Sequence, residues 1–302
     1  MSEFAVEARG LRKSYGDVEA VRGVDLGIRA GEIYALIGPN GAGKTTILEI
    51  LEGYRERDAG EVLVLGFDPA ENATALKERI GIVLQSTSVT QYLRVGETVE
   101  MYRGYYPNPR PLDEILGLVG LTDLRNKLVR RLSGGQQRRL DVAIGLAGDP
   151  DLLFLDEPTT GFDPSARRAA WEMIRGLKAL GKTVLLTTHY LDEAQALADR
   201  VGIITNGRIV AEGTPDELRA QERETRISFR KPSAPLALTV AAHDVNGRIE
   251  IKTEQPTQTL RELTNWAGEA GIELEDLAVS PITLEEVYLR MSGDGTGEEQ
   301  PE

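Results

Sequence analysis

The run Gly38-Pro39-Asn40-Gly41-Ala42-Gly43-Lys44-Thr45 constrains this chain more than any other feature. It fits G-x-x-x-x-G-K-[ST] in full. The apolar run Ile33 to Ile37 precedes it, and Ile47, Leu48 and Leu51 follow at helical spacing before Gly53. A strand, a glycine loop and a helix N-terminus in that order build a cradle for phosphate oxygens. Glycines let the backbone curl so that its N–H groups converge, and the helix dipole favours the anion. On this reading Lys44 reaches the β- and γ-phosphates and the Thr45 hydroxyl ligates Mg2+, with Thr46 beside it.

The rest of the chain supplies the sheet that such a loop needs. Ile80 to Leu84, Leu152 to Leu155 and Val184 to Thr188 are short apolar runs that read as buried strands, each followed by a turn or helix. That alternation predicts a mostly parallel sheet with its chemistry at the strand C-termini. Phe4 to Ala8 and Val24 to Ile28 instead alternate apolar with polar, as half-buried antiparallel strands do. Val201 to Ile204 and Arg208 to Ala211 flank Asn206-Gly207, a type I′ hairpin signal. From Ser86 to Leu132 strand signals fade into helical periods, which predicts an α-helical insert. Thr214-Pro215-Asp216-Glu217 opens a short helix through a capping box. Beyond a polar linker lie predicted strands at Arg226 to Arg230, Arg248 to Thr253 and Glu273 to Val279. A helix there places Leu260, Leu263, Trp266, Ala267 and Ala270 on one face, and Thr283 with Glu286 caps a last helix.

Composition narrows the function classes. Acidic residues outnumber basic ones 48 to 35, a formal charge of −13, which argues against a nucleic-acid partner. With no Cys, thiolate metal sites and thiol catalysis are out, and two His residues make no metal cage. The N-terminus lacks the apolar core of a secretory signal, and no stretch approaches the ~20 apolar residues that span a bilayer. The expected location is the cytoplasm.

Two further elements carry chemistry. Leu152-Leu153-Phe154-Leu155-Asp156-Glu157 is a strand ending in two carboxylates, which are costly to bury without a cation. Asp156 is placed to hold Mg2+ and Glu157 to activate an attacking water. In Leu132-Ser133-Gly134-Gly135-Gln136, Ser133 reads as an N-cap and Gln136 as its capping-box partner. The glycines leave bare N–H groups at a second helix N-terminus able to meet an anion, ahead of a face formed by Leu140, Ala143, Ile144 and Ala147.

Taken together, these elements resemble the nucleotide-binding subunit of the ATP-binding cassette (ABC) family. The phosphate loop resembles its Walker A, Leu155-Asp156-Glu157 its Walker B, and Leu132 to Gln136 its signature. Tyr15 matches the A-loop aromatic that stacks on adenine, Gln85 the Q-loop glutamine and His189 the switch histidine. Gly161-Phe162-Asp163 matches the D-loop, with Phe162 in place of the commoner Leu. The matches run in family order from about residue 4 to 218.

The resemblance implies a P-loop NTPase of ABC type, an α/β fold whose mixed sheet carries an antiparallel β subdomain and an α-helical insert, plus a small C-terminal α+β domain. The implied layout is an ATPase domain at 1–220 with the insert at about 86–146, a linker at 221–225, the C-terminal domain at 226–291 and an acidic disordered tail at 292–302. The implied ligands are ATP and Mg2+, the latter on Thr45, Gln85 and Asp156. Glu157, His189, Gln85 and Lys44 are the implied catalytic set, and Ser133 to Gln136 meet the ATP of a second copy. One cassette per chain implies a homodimer closed by ATP, docked on a separate membrane permease that contacts the cargo. Tyr92, Leu93, Val95, Met101, Tyr102, Tyr105 and Tyr106 of the insert are candidates for that docking or for the insert's own core. Ser280-Pro281-Ile282-Thr283-Leu284 and its surroundings resemble the appendage of daunorubicin/doxorubicin-resistance ATPases, implying drug export. Lipid or polysaccharide transport, or a soluble non-transport ATPase, stays open on the sequence. His243 reads as structural or solvated.

Overall fold

The computed structural model describes residues 3–71, 73–84, 89–221, 224–232 and 241–292. Gln85, the start of the insert at 86–88, part of the linker and the tail after residue 292 lie outside the described residues. The chain divides into two compact units, 1–215 and 216–302.

The first unit opens with β1 (Phe4–Tyr15), β2 (Val18–Arg29) and β3 (Ile33–Ile37), followed by α1 (Lys44–Leu51), β4 (Ala59–Val64), α2 (Ala73–Lys77) and β5 (Ile80–Val83). It continues with α3 (Val95–Arg103), α4 (Leu112–Leu118), α5 (Gly134–Gly145), β6 (Leu152–Asp156), α6 (Pro164–Ala179), β7 (Thr183–Thr188) and α7 (Leu191–Leu197). The hairpin β8 (Arg200–Thr205) and β9 (Arg208–Gly213) closes it. A six-stranded sheet runs in the order β5-β6-β7-β3-β8-β9, parallel except for the last strand. Every residue of β3 and β7 is buried, which explains their unbroken apolar or Thr runs: a parallel sheet is covered on both faces. The antiparallel sheet β2-β1-β4 is the half-buried layer that the alternating N-terminal pattern predicts.

The β8–β9 turn has φ of 49° at Asn206 and 76° at Gly207, the left-handed pair that a type I′ turn demands. The turn also braces the phosphate loop, since Gly207 N donates to Ala42 O at 3.0 Å and Arg22 N to Gly207 O at 2.8 Å.

Among the described residues, the insert contains helices and one isolated β-bridge, Arg94 to Leu128. Its docking candidates divide. Val95 is buried, and Tyr106 packs so closely on Gly148 that a Cβ there would meet its ring at 2.3 Å. Tyr92 and Tyr105 stand 76% and 73% exposed, with Met101 also exposed.

After α8 (Pro215–Gln221), which starts on the last residue of the first unit, the second unit holds β10 (Thr225–Arg230), β11 (Ala242–Val245), β12 (Arg248–Thr253), α9 (Pro256–Ala270), β13 (Ala278–Pro281) and α10 (Leu284–Ser292). Its antiparallel sheet has the order β11-β12-β10-β13, with Ile227, Phe229, Ile249, Ile251 and Leu263 at its core. Thr283 and Glu286 form the expected reciprocal cap: Glu286 N donates to Thr283 Oγ1 and Thr283 N to Glu286 Oε2.

Three expectations need correction. The strand expected over Glu273 to Val279 begins only at Ala278. Asp276 at φ 55° turns the chain left-handed and breaks the extended run. Strand β11 was not foreseen, although Asn246-Gly247 after it repeats the Asn-Gly hairpin signal; its four residues are all exposed, so no apolar alternation marks it. Ala270, expected on the apolar face of α9, is exposed in the last turn, and Ile144 on α5 is only half-buried.

Candidate functional site

Parallel order places the C-terminal ends of β3, β6 and β7 side by side, with β7 between the other two. The loops after them carry the phosphate loop, the acid pair and His189, residues far apart in sequence. Ala20, Asn40, Gly41, Gly43, Lys44, Thr45, Thr46, Asp156 and Glu157 line one open cavity of about 430 Å3.

The loop's glycines are required sterically. A Cβ on Gly38 would meet Ile204 O at 2.3 Å, and Gly43, at φ 106°, would bring one to 2.5 Å from Ala20 O. Lys44 begins α1 and is 6% exposed. Its ammonium donates to Gly38 O (2.6 Å) and Pro39 O (3.1 Å), so it folds back along the loop. Burial pushes its pKa down, while the Glu157 and Asp156 charges pull it up.

Asp156 ends β6, and its Oδ1 accepts from the Thr187 hydroxyl of β7 at 2.5 Å. Glu157 has φ 46°, a strained left-handed value for a residue with a Cβ. Two hydrogen bonds from its N–H, to Thr187 O and Thr187 Oγ1, both 3.1 Å, hold that turn. Its Oε1 lies 3.2 Å from His189 Nδ1, and its Oε2 accepts from Thr160 Oγ1 at 3.1 Å. The carboxylate is thereby fixed at the cavity wall with the imidazole beside it.

The donor set fits a hard cation carried on phosphate. Thr45 and Asp156 meet in the cavity, and the described residues hold no cluster of three or more His, Cys, Asp or Glu. One carboxylate and one hydroxyl suit Mg2+, which keeps water and phosphate as its other ligands. The sterically tight glycine cradle fits the phosphates themselves.

Tyr15 is exposed at the end of β1, its hydroxyl 3.4 Å from Thr46 Oγ1 and the Arg55 guanidinium 5.1 Å from its ring. Ser133 caps α5 as expected, with Gln136 N donating to Ser133 Oγ (3.4 Å) and Ser133 N to Gln136 Oε1 (3.2 Å). Ser133, Gly134 and Gly135 line a second cavity, of about 610 Å3, with Gly161, Phe162 and Asp163. Asp163 caps α6 by accepting from Ser165 N and Ala166 N.

Arg138 escaped the sequence reading. It lies on α5, one turn past the glycines, and is 8% exposed. Its guanidinium donates to Asp156 O (2.9 Å), Pro158 O (3.1 Å) and Leu84 O. Asp141 lies 3.8 Å from it, and burial pushes the Arg138 pKa down. One side chain of α5 thus clamps the backbone around the acid pair. The signal was a basic residue and an acid three apart beside buried Val142.

A family profile described as "ABC transporter" matches residues 21–160, and one described as "ABC transporter domain-containing protein-like, C-terminal domain" matches 225–283. The daunorubicin resistance ATP-binding protein DrrA3 of Streptomyces coeruleorubidus is 38% identical, over 97% of this chain and 98% of its own. The chain belongs to the ABC transporter family, as an ATP-binding protein. The Nod factor export ATP-binding protein I of Burkholderia orbicola is 41% identical to this ATPase over 97% of the chain and 98% of its own. CbiO1 of Clostridium perfringens, part of the transporter complex CbiONQ, superposes with TM-score 0.66 and 29% identity, covering 73% of this chain and 92% of that one. A dimeric structure of the cassette MJ0796 superposes with TM-score 0.60 and 26% identity, covering 69% and 98%. No helix among the described residues is long and apolar enough to cross a membrane.

Proposed function

We propose that this ATPase powers export of a small hydrophobic, drug-like compound through a separate permease, working at the cytoplasmic face of the membrane as a homodimer around two ATP. The observation that carries the catalytic part is the meeting of Lys44, Asp156 and Glu157 in one cavity, with His189 at 3.2 Å from Glu157.

In this reading Lys44 leaves the loop carbonyls for the β- and γ-phosphates, which supply stronger, charged acceptors. Tyr15 stacks on the base. Asp156, Thr45 and Gln85 hold Mg2+, which when bound neutralises phosphate charge. Glu157 takes a proton from the attacking water, and His189 orients that carboxylate and meets the γ-phosphate. Ser133, Gly134, Gly135 and Gln136 face the second copy's ATP, and Asp163 lies at the same junction. The dimeric cassette of similar fold supports the pairing. The net charge of −13 does not oppose ATP, because Lys44 and two helix N-termini supply the positive field locally.

Exposed Tyr92, Met101 and Tyr105 are the side chains left for the permease. Relatives in both daunorubicin resistance and Nod factor export match over nearly the full chain, which supports cargo selection by the permease. A Nod-factor-like cargo is therefore the second reading.

Glu157→Gln should retain ATP binding and lose turnover by at least about 100-fold, the contribution of a general base. Lys44→Ala should lose both. Sedimentation of Glu157→Gln with ATP and Mg2+, in the presence of the permease, should give two copies of the chain. Retained hydrolysis in both variants would break the assignment of roles. Stimulation of turnover by daunorubicin in proteoliposomes tests the cargo, and its absence together with a response to Nod factor favours the second reading.

A further inference from the structure

His189 and Asp163 lie on different loops, and nothing in the sequence requires them to move together. One carboxylate joins their segments. Glu193 lies on α7, one turn after His189, and is fully buried at 0% exposure. Its Oε1 accepts from the Thr159 hydroxyl at 2.8 Å and from Trp171 Nε1 at 3.1 Å. Thr159 is itself fully buried between Glu157 and the D-loop, and Trp171 lies on α6, the helix that Asp163 caps. An outer layer repeats the connection. The Arg167 guanidinium of α6 lies 4.4 Å from the Tyr190 ring centroid and 3.1 Å from Asp192 Oδ2, and the Tyr190 and His189 rings are 4.1 Å apart.

A buried carboxylate is a costly way to hold two helices together, because apolar packing does so without stripping water from a charge. Burial pushes the Glu193 carboxyl pKa up, and the hydroxyls of Thr188 and Thr159, the Trp171 indole and the Arg167 charge oppose that push without cancelling it. What an oxygen acceptor adds over a methyl group is direction. Two donors from the Glu157 side converge on one atom, so hydrogen-bond geometry fixes how the His189 segment sits against them. The contact at stake is the 3.2 Å approach of His189 Nδ1 to Glu157 Oε1. A displacement of about 1 Å at such a contact costs on the order of 100-fold in rate.

We propose that Glu193 is a positioning residue for hydrolysis: through Thr159 and Trp171 it locks the His189 loop to the segment from Glu157 to Asp163, so that base, switch histidine and D-loop move as one body. The proposal rests on the roles given above to Glu157 and His189.

The test uses the full chain with Glu193→Ala, Glu193→Gln and His189→Ala, read by fluorescent-nucleotide titration and single-turnover hydrolysis. Glu193→Ala should slow hydrolysis by about 10-fold or more while ATP affinity stays within about 2-fold. Glu193→Gln keeps an oxygen for both donors and should recover most of the rate. Added to His189→Ala, Glu193→Ala should cost less than about 2-fold more, because the lock acts through His189. Parallel loss of affinity and rate, full multiplication of the two losses, or wild-type turnover in Glu193→Ala would overturn the proposal. Should Glu193→Ala fail to fold by circular dichroism, Trp171→Phe removes one donor, keeps a ring, and carries the same cycle. Wild-type hydrolysis in both His189→Ala and Glu157→Gln would instead sink the role assignment, whatever Glu193 does.

Discussion

Replacing Arg138 by Met keeps a flexible unbranched stem that stops short of the guanidinium's reach, and removes its donors. In the intact protein the guanidinium reaches Asp156 O at 2.9 Å, Pro158 O at 3.1 Å and Leu84 O, all from a site 8% exposed. Each hydrogen bond to a charged group is worth about 1.5–3 kcal/mol, but shared bonds do not add in full. Losing them strands three carbonyls and leaves Asp141 nearly buried beside an apolar thioether. Breaking a buried charged cluster in this way costs about 3–5 kcal/mol. For a unit of 215 residues, about 2–4 °C of Tm per kcal/mol converts that cost to a fall of about 6–20 °C. Arg138→Lys keeps the charge, but a compact ammonium cannot span three carbonyls, so it should fall between Met and the parent. Differential scanning calorimetry of the three proteins at one pH checks the order. A Met variant within about 2 °C of the parent, or a Lys variant below Met, would refute the clamp.

Two further perturbations address single groups. Burial, then the Asp156 and Glu49 charges, push the Glu52 carboxyl from 4.5 to about 7. The folded chain keeps a proton there that the unfolded chain releases, so stability falls as pH rises from 4.5 to about 7 and is flat above. Glu52→Gln should therefore gain nothing over the parent near pH 4.5 and about 1–3 kcal/mol above pH 7 in urea unfolding, and a gain that shrinks with rising pH contradicts this. Tyr15→Ala should weaken ATP binding by about 1–3 kcal/mol and Tyr15→Phe hardly at all in a calorimetric titration, while equal losses would place the effect in the Thr46 contact rather than in stacking.

Legibility in the sequence followed the range of the interaction. The phosphate loop, the Ser133–Gln136 cap, the Thr283–Glu286 cap and the Asn206-Gly207 turn are each set within a few residues, and each was readable. The strands β3, β6 and β7 were readable because burial on both faces leaves an unbroken apolar run. Exposed β11, with no core to face, left no such pattern.

By itself, then, the sequence determined which local pieces exist and what chemistry each can carry: an anion cradle, a carboxylate pair, a second bare helix N-terminus. The tertiary structure alone decided what those pieces do to one another. The order β6-β7-β3 set Asp156 and Glu157 opposite Lys44. Arg138 found carbonyls 18, 20 and 54 positions away, and Glu193 found donors 22 and 34 away. In a helical pattern such a charge, among charged neighbours, looks like a solvated face. Only the closed core, which removes water and leaves few partners, turns such a charge into a clamp.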